Sequence, residues 1–233
     1  MLNVLDSAVP VSCWSCSVSH QSSTLFCPHC SKIQPPSGGN FFSVFGLEPR
    51  LELDLGMLEH QFHKLSRKLH PDRYARATDS EREWSLADTA LLNDAYRTLK
   101  DPIRRTEYLL KLSGAEIGEE HAGKNAAGRT DPSRIPIDLL EEVFELNMQL
   151  EEMRAARQAG EDDPHLQQSL TAAKTKFDGL MDDVDSDLRE QWTAWDSGDA
   201  GTRANAQKVM VALLDRRRYL ANLVRDVTET LGA

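Results

Sequence analysis

Leu65-Ser66-Arg67-Lys68-Leu69-His70-Pro71-Asp72-Arg73-Tyr74 is the stretch on which the fold turns. Upstream, Leu55, Leu58, Phe62, Leu65 and Leu69 recur every three or four residues, the spacing of one helix face. Asp54 stands where it caps that helix. Pro71 disfavours an α conformation in the residue before it, so the helix is expected to stop at His70. Downstream, a second helix is expected to carry Trp84, Ala87, Leu91, Ala95 and Leu99 on its apolar face and to end before Asp101-Pro102. A shorter helix comes next with Ile103, Tyr108 and Leu109. The two longer helices are expected to pair as an antiparallel hairpin through the loop after Pro71.

His70-Pro71-Asp72 is weak evidence alone; its place between two amphipathic helices makes it strong. Lys64, Arg67 and Lys68 lie three to four residues apart on one helix face, and Arg73 and Arg76 extend the positive patch. A basic helix leading into a rigid proline turn suits docking on an acidic partner surface. These residues resemble the J-domain family, whose members carry His-Pro-Asp between their second and third helices. The resemblance implies that His70, Pro71 and Asp72, with Arg73, meet a DnaK-type chaperone ATPase and couple docking to hydrolysis. Lys64, Arg67 and Lys68 would steer the encounter. The plainer reading is a helix-terminating turn with a solvated basic face.

The run Leu92-Asn93-Asp94-Ala95-Tyr96-Arg97-Thr98-Leu99-Lys100-Asp101-Pro102-Ile103-Arg104-Arg105 fits the third J-domain helix and the segment after it. Its continuation, Glu107-Tyr108-Leu109-Leu110-Lys111-Leu112-Ser113-Gly114, is similar more narrowly to the HscB family, the J-proteins dedicated to iron–sulfur cluster assembly. That resemblance implies an antiparallel three-helix C-terminal domain, an HscA-like chaperone partner and an IscU-like cluster scaffold as cargo.

The C-terminal region reads as a bundle without that help. Leu139, Val143, Leu146, Leu150 and Met153 alternate steps of four and three, the seam of a packed helix. Leu140, Phe144 and Met148 form a second stripe, roughly 100 to 180° around the helix from Leu139. One seam cannot bury both, so the second stripe meets another domain or stays exposed as an interaction surface. Leu166, Leu170, Ala173, Phe177, Leu180 and Val184 mark the next helix. Met210, Leu213, Leu214, Leu220, Val224, Val227 and Leu231 mark the last. The HscB resemblance places a scaffold-binding patch on Leu140, Glu141, Phe144 and Met148, with Leu213 opposite. Glu141 departs from the pattern, because relatives can carry an apolar residue there. The competing reading packs Leu140 and Phe144 against the J domain.

All four cysteines fall in the first 30 residues. Cys13-x-x-Cys16 and Cys27-x-x-Cys30 form two knuckles, and two such pairs complete a closed tetrahedral site. Little apolar material surrounds them beyond Trp14, Phe26 and Pro28, so a metal would supply most of the folding energy. Zinc in a structural role is the expectation; iron is an alternative occupant, and His20 and His29 are alternative ligands. A tetracysteine extension also occurs in some HscB relatives. Redox chemistry is disfavoured, since Cys-x-x-Cys here lacks a surrounding βαβ pattern.

The expected architecture is therefore nearly all α. It comprises a tetracysteine zinc hairpin and linker (1–38), a J domain (39–114), a linker (115–133) and a three-helix bundle (134–233). Pro35-Pro36-Ser37-Gly38-Gly39 and the aperiodic stretch from Glu116 to Pro132 supply the breaks. The net charge of -10 argues against a nucleic-acid partner, and no apolar run approaches the roughly 20 residues that span a bilayer. Met1 to Pro10 contains Asp6 and no Lys or Arg, which points to the cytoplasm. The mitochondrial matrix is the alternative should the chain be a eukaryotic one whose transit peptide lies outside it. No nucleophile motif, phosphate loop or paired-carboxylate cleft suggests an enzyme, and Asp162-Asp163 and Asp182-Asp183 read as solvated faces. The functional expectation is a co-chaperone adaptor. A J-protein for another client and a metal or redox protein are the alternatives, and self-association stays open.

Overall fold

The structure, a computed structural model, describes residues 10–21, 24–36, 39–117 and 136–232. Nearly all of the expected 116–132 hinge lies outside these, as do Ser37 and Gly38 in the first linker. The chain divides into two compact units, Met1–Ala115 and Glu116–Ala233.

The first unit opens with a small antiparallel ribbon, β1 (Pro10–Ser12) and β2 (Ser19–Gln21), in which Val11 faces His20. A short helix, α1 (Phe41–Val44), is capped by the Asn40 side chain and had no periodic signal to reveal it. Then come α2 (Leu55–Leu69), a 3₁₀ turn (Pro71–Tyr74), α3 (Asp79–Lys100) and α4 (Pro102–Leu112). The helix ends obey local chemistry. Asp54 accepts from the Met57 amide at 2.9 Å, and Asp101 accepts from Ile103 and Arg104 as Pro102 opens α4. α2 and α3 are antiparallel: Phe62 stacks on Tyr96, with ring centres 4.1 Å apart, while Leu69 meets Ser85 near the loop. Arg105, itself buried, donates to the Leu51 and Leu99 carbonyls and ties α4 to the segment ahead of α2.

Two expectations about the core need correction. On α3 the buried residues are Glu81, Ser85, Asp88, Leu92, Ala95 and Leu99; Ala87 is exposed and Trp84 and Leu91 are half-buried. Polar residues occupy the first half of the inner face, so apolar periodicity pointed one residue to the side. On α2, Leu55 is exposed because it opens the outermost turn, and Leu51 upstream fills the core instead.

The second unit is a bundle of α5 (Leu140–Ala159), α6 (Pro164–Ser197) and α7 (Ala200–Gly232), preceded by a 3₁₀ turn (Ile137–Leu139). Asp185 pairs with Arg217, and Arg203 reaches back to the Trp195 carbonyl, so α6 and α7 are antiparallel. Asp138 pairs with Arg216 and Arg157 donates to Leu231 at the far end, so α5 runs parallel to α7. α5 ends in a left-handed Gly160 at φ 75°, with the Glu161 amide bonded to Ala156. A Cβ on Gly198, between α6 and α7, would run into the Ala194 carbonyl oxygen. The expected α5 seam is buried throughout. On α6 the seam extends further than expected, through Leu188, Trp192 and Trp195, whereas Ala173 and Leu180 are not part of its buried core. Asp163 is the side-chain cap of α6, not part of an idle acidic face.

Candidate functional site

The His-Pro-Asp loop is built by the end of α2. Pro71 has no N–H to continue the helix and opens the 3₁₀ turn instead. That leaves the last carbonyls of α2 without helical donors. Leu69 recovers one from α3, the Ser85 hydroxyl at 2.6 Å; the Thr89 hydroxyl lies 3.4 Å away but its one hydrogen is taken by the Ser85 carbonyl at 2.7 Å. The His70 ring accepts from the Asp72 amide at 3.3 Å and lies 3.5 Å from the Asp72 carboxylate. Their side chains are 58% and 90% exposed, so the turn presents both to solvent.

Lys64, Arg67, Lys68, Arg73 and Arg76 are exposed around the same loop. Lys64, Arg67, Arg73 and Arg76 have no carboxylate partner among the described residues. Lys68 also caps an aromatic face, with Nζ 5.5 Å from the centre of the Phe26 ring. The first unit carries 13 basic and 13 acidic residues and the second 14 and 24, so the chain's net charge belongs to the bundle.

Three residues behind the loop were not expected to matter, although Thr78-x-x-Glu81 carries the sequence signature of a helix start. Glu81 is buried; its Oε2 accepts from the Thr78 amide and hydroxyl, and Thr78 Oγ1 accepts from the Glu81 amide, closing a capping box on α3. The Thr78 amide outweighs burial and, helped by Lys32, draws the Glu81 carboxyl below its ordinary range. Ser85 pins Leu69. Asp88 is fully buried, neither carboxylate oxygen has a hydrogen-bond partner among the described residues, and burial pushes it up to about 7.

The cysteine block folds as two copies of one turn. The Cys13 and Cys27 carbonyls each accept from the amide of the serine four residues on, Ser17 and Ser31, at 2.9 Å. Those serines take positive φ, 60° and 59°, which swings each chain back to pair Cys13 with Val18 and Cys27 with Lys32. The four Sγ atoms all lie within 4.8 Å of one another, with Cys13–Cys30 at 3.6 Å and Cys16–Cys27 at 3.7 Å. A tetrahedral thiolate site with metal–sulfur bonds of about 2.3 Å needs sulfurs about 3.8 Å apart, so the donor set fits.

The thiols already oppose one another. Burial pushes Cys13 up, but the Cys16 and Ser15 backbone and the Cys30 sulfur outweigh it and leave the thiol at about 6. The Val18 backbone pulls Cys16 down, yet burial and the other three sulfurs carry it up to about 12. A cation held among the four sulfurs would relieve this opposition. His20 is not free to substitute as a ligand: it is buried against the Gln21 carbonyl, Thr24 and Gln34. Gln34 also reaches the Cys13 sulfur at 3.5 Å.

On α5, Leu140, Phe144 and Met148 are 54%, 68% and 58% exposed, flanked by exposed Glu141 and Glu145. On α7, Leu214 is the inward residue, and Leu213 beside it lies outside the buried seam.

No family model matches the chain. The chain is 33% identical over 143 residues to the co-chaperone protein HscB homolog of Shewanella sp. (strain ANA-3), a match covering 61% of this chain and 76% of that protein. It is 36% identical over 111 residues to the iron-sulfur cluster co-chaperone protein HscB of Mus musculus, covering 46% of this chain and 47% of that protein. The chain spans about half the length of the first curated relatives it matches. The solved structure of chaperone HscB from Vibrio cholerae superposes with a TM-score of 0.56 and 29% identity, over 82% of this chain and 96% of that one.

Proposed function

The chain belongs to the HscB co-chaperone family, and from that membership we propose that it works as an adaptor in iron–sulfur cluster assembly. Its first unit, read as a J domain, docks on a DnaK-type, HscA-like chaperone and stimulates ATP hydrolysis there. Its bundle presents an IscU-like scaffold to the same chaperone. The observation that carries the reading is the exposed His70-Pro71-Asp72 turn, pinned from behind by Ser85 and flanked by unneutralised basic residues.

No bond is made or broken by the protein in this scheme. Lys64, Arg67 and Arg73 raise the encounter rate with an acidic surface. Pro71 and the Ser85 bond hold His70 and Asp72 in one arrangement, so less freedom is lost when they dock. Hydrolysis is favoured because docking binds the hydrolysis-competent state of the ATPase better than its resting state. The apolar row Leu140, Phe144 and Met148 supplies contact area for the scaffold, and the surrounding negative charge selects a partner with a basic rim.

Cys13, Cys16, Cys27 and Cys30 would hold one zinc ion. A closed four-sulfur site has no position for a substrate, so the ion supplies cross-linking and not catalysis.

The test is steady-state ATP hydrolysis by the cognate chaperone, with scaffold added or omitted, comparing wild type and His70→Gln. Stimulation that requires His70 and rises with scaffold is expected. Stimulation without a scaffold effect would reassign the client, and no stimulation by any cognate ATPase would sink the adaptor reading.

A further inference from the structure

The cysteine hairpin is seated on both helix ends that the His-Pro-Asp loop joins. On one side Phe26 lies under Lys68, two residues before His70. On the other, Lys32 Nζ reaches Glu81 Oε1 at 3.3 Å, and the Trp14 ring meets Trp84 edge-on at 5.7 Å. Lys32 also lies 5.9 Å from the centre of the Trp14 ring, which makes these two contacts one assembly.

The Glu81 carboxylate is shared. One oxygen closes the capping box with Thr78 and the other takes the hairpin's Lys32. With Glu81 buried, loss of Lys32 would leave that second oxygen poorly satisfied. The start of α3 is thus held partly from within and partly by the hairpin.

Every residue on the hairpin's side of these contacts lies within two positions of a metal-ligating cysteine. Trp14 comes directly after Cys13, Phe26 precedes Cys27, and Lys32 lies two residues after Cys30. Among the described residues, the hairpin's own apolar core is little more than Leu25 and Ile33 around the sulfurs. Its shape, and so the placing of Trp14, Phe26 and Lys32, depends on the sulfurs being tied together.

We propose that the metal-closed cysteine hairpin braces the His-Pro-Asp loop, with Trp14, Phe26 and Lys32 as positioning residues that hold the end of α2 and the start of α3. With the sulfurs tied, both ends of the loop are fixed from one rigid hairpin. With the metal withdrawn, Lys68 loses Phe26, Glu81 loses Lys32 but keeps Thr78, and the loop spreads over more conformations. The docking-competent fraction then falls, and apparent affinity for the ATPase falls with it. This last consequence rests on the adaptor reading; the structural brace does not.

Hydrogen exchange on the full chain tests the brace without any partner. Zinc-loaded and chelator-stripped protein are compared over amides 69–82, with peptides from α6 and α7 as the internal reference. Exchange over 69–82 is expected to rise about tenfold on stripping, with the reference unchanged. Trp14→Ala/Lys32→Ala, whose zinc content is measured alongside, should keep the metal and still exchange about fivefold faster over 69–82. Unchanged exchange in the zinc-loaded double variant overturns the proposal, including where the stripped protein unfolds altogether.

The same variant should need about fivefold more co-chaperone for half-maximal ATPase stimulation. Loosened exchange with unaltered stimulation would overturn the functional half. A wild type that stimulates nothing would count against the adaptor reading alone, since the exchange result stands independently of it.

Discussion

The Ser85 hydroxyl donates to the Leu69 carbonyl at 2.6 Å, joining a buried polar residue of α3 to the last turn of α2. Pro71 ends α2, and the end it creates is secured by a side chain from the facing helix. Ser85→Ala leaves Leu69 only the Thr89 hydroxyl, 3.4 Å away and already donating to the carbonyl of residue 85 at 2.7 Å. The expected cost is about 1–2 kcal/mol, seen as faster amide exchange across 66–73 with α6 and α7 unaffected. Exchange equal to wild type would show that Thr89 alone suffices.

Asp88 lies on the same inner face as a carboxyl with no hydrogen-bond partner among the described residues. Burial raises it from 3.8 to about 7, so the folded state binds the proton more tightly than the unfolded state. Below about pH 4 both states are protonated and there is no penalty. Between about pH 4 and pH 7 the penalty grows, and above pH 7 it is complete. Asp88→Asn should therefore stabilise the first unit by about 2–4 kcal/mol at pH 8 and by little at pH 4, read from denaturant unfolding at the two pH values. A pH-independent difference would mean that the carboxylate is compensated in solution.

The apolar row of α5 is exposed, so its removal should leave the bundle folded. Leu140 and Phe144 are more than half exposed, so Leu140→Ala/Phe144→Ala should lower stability by only about 1 kcal/mol while abolishing scaffold binding. Leu146→Ala, in the buried seam, should cost about 2–5 kcal/mol. Calorimetric titration with the scaffold, beside thermal unfolding, separates the two. Loss of helicity in the double variant would return Leu140 and Phe144 to the core.

The cysteine cluster should bind one zinc per chain through four sulfurs at about 2.3 Å, as read by X-ray absorption. Cys27→Ser should lose the metal, since an alcohol is a poor substitute for a thiolate, while far-UV dichroism of the helices persists. A spectrum with nitrogen ligands would implicate a histidine in place of a cysteine.

What the sequence by itself determined is local. Pro71 and Asp54 bound α2, Asp101-Pro102 separates α3 from α4, and the α5 seam repeats within one helix. The paired Cys-x-x-Cys turns likewise depend on residues a few positions apart. Helix caps, proline sterics and periodicity all act over that range, so residue type and spacing are enough to read them.

Only the tertiary structure decided what depended on a distant partner. Ser85 and Asp88 face inward because α3 meets the end of α2 there, although their polarity argues for the outside. Lys32 finds Glu81 across 49 residues of chain, and nothing in either neighbourhood announces the pairing. Trp192 and Trp195 join the core because α7 runs back alongside that end of α6. The physical reason is common to all three: burying a side chain requires a second surface, and a single helix's pattern does not say where that surface lies.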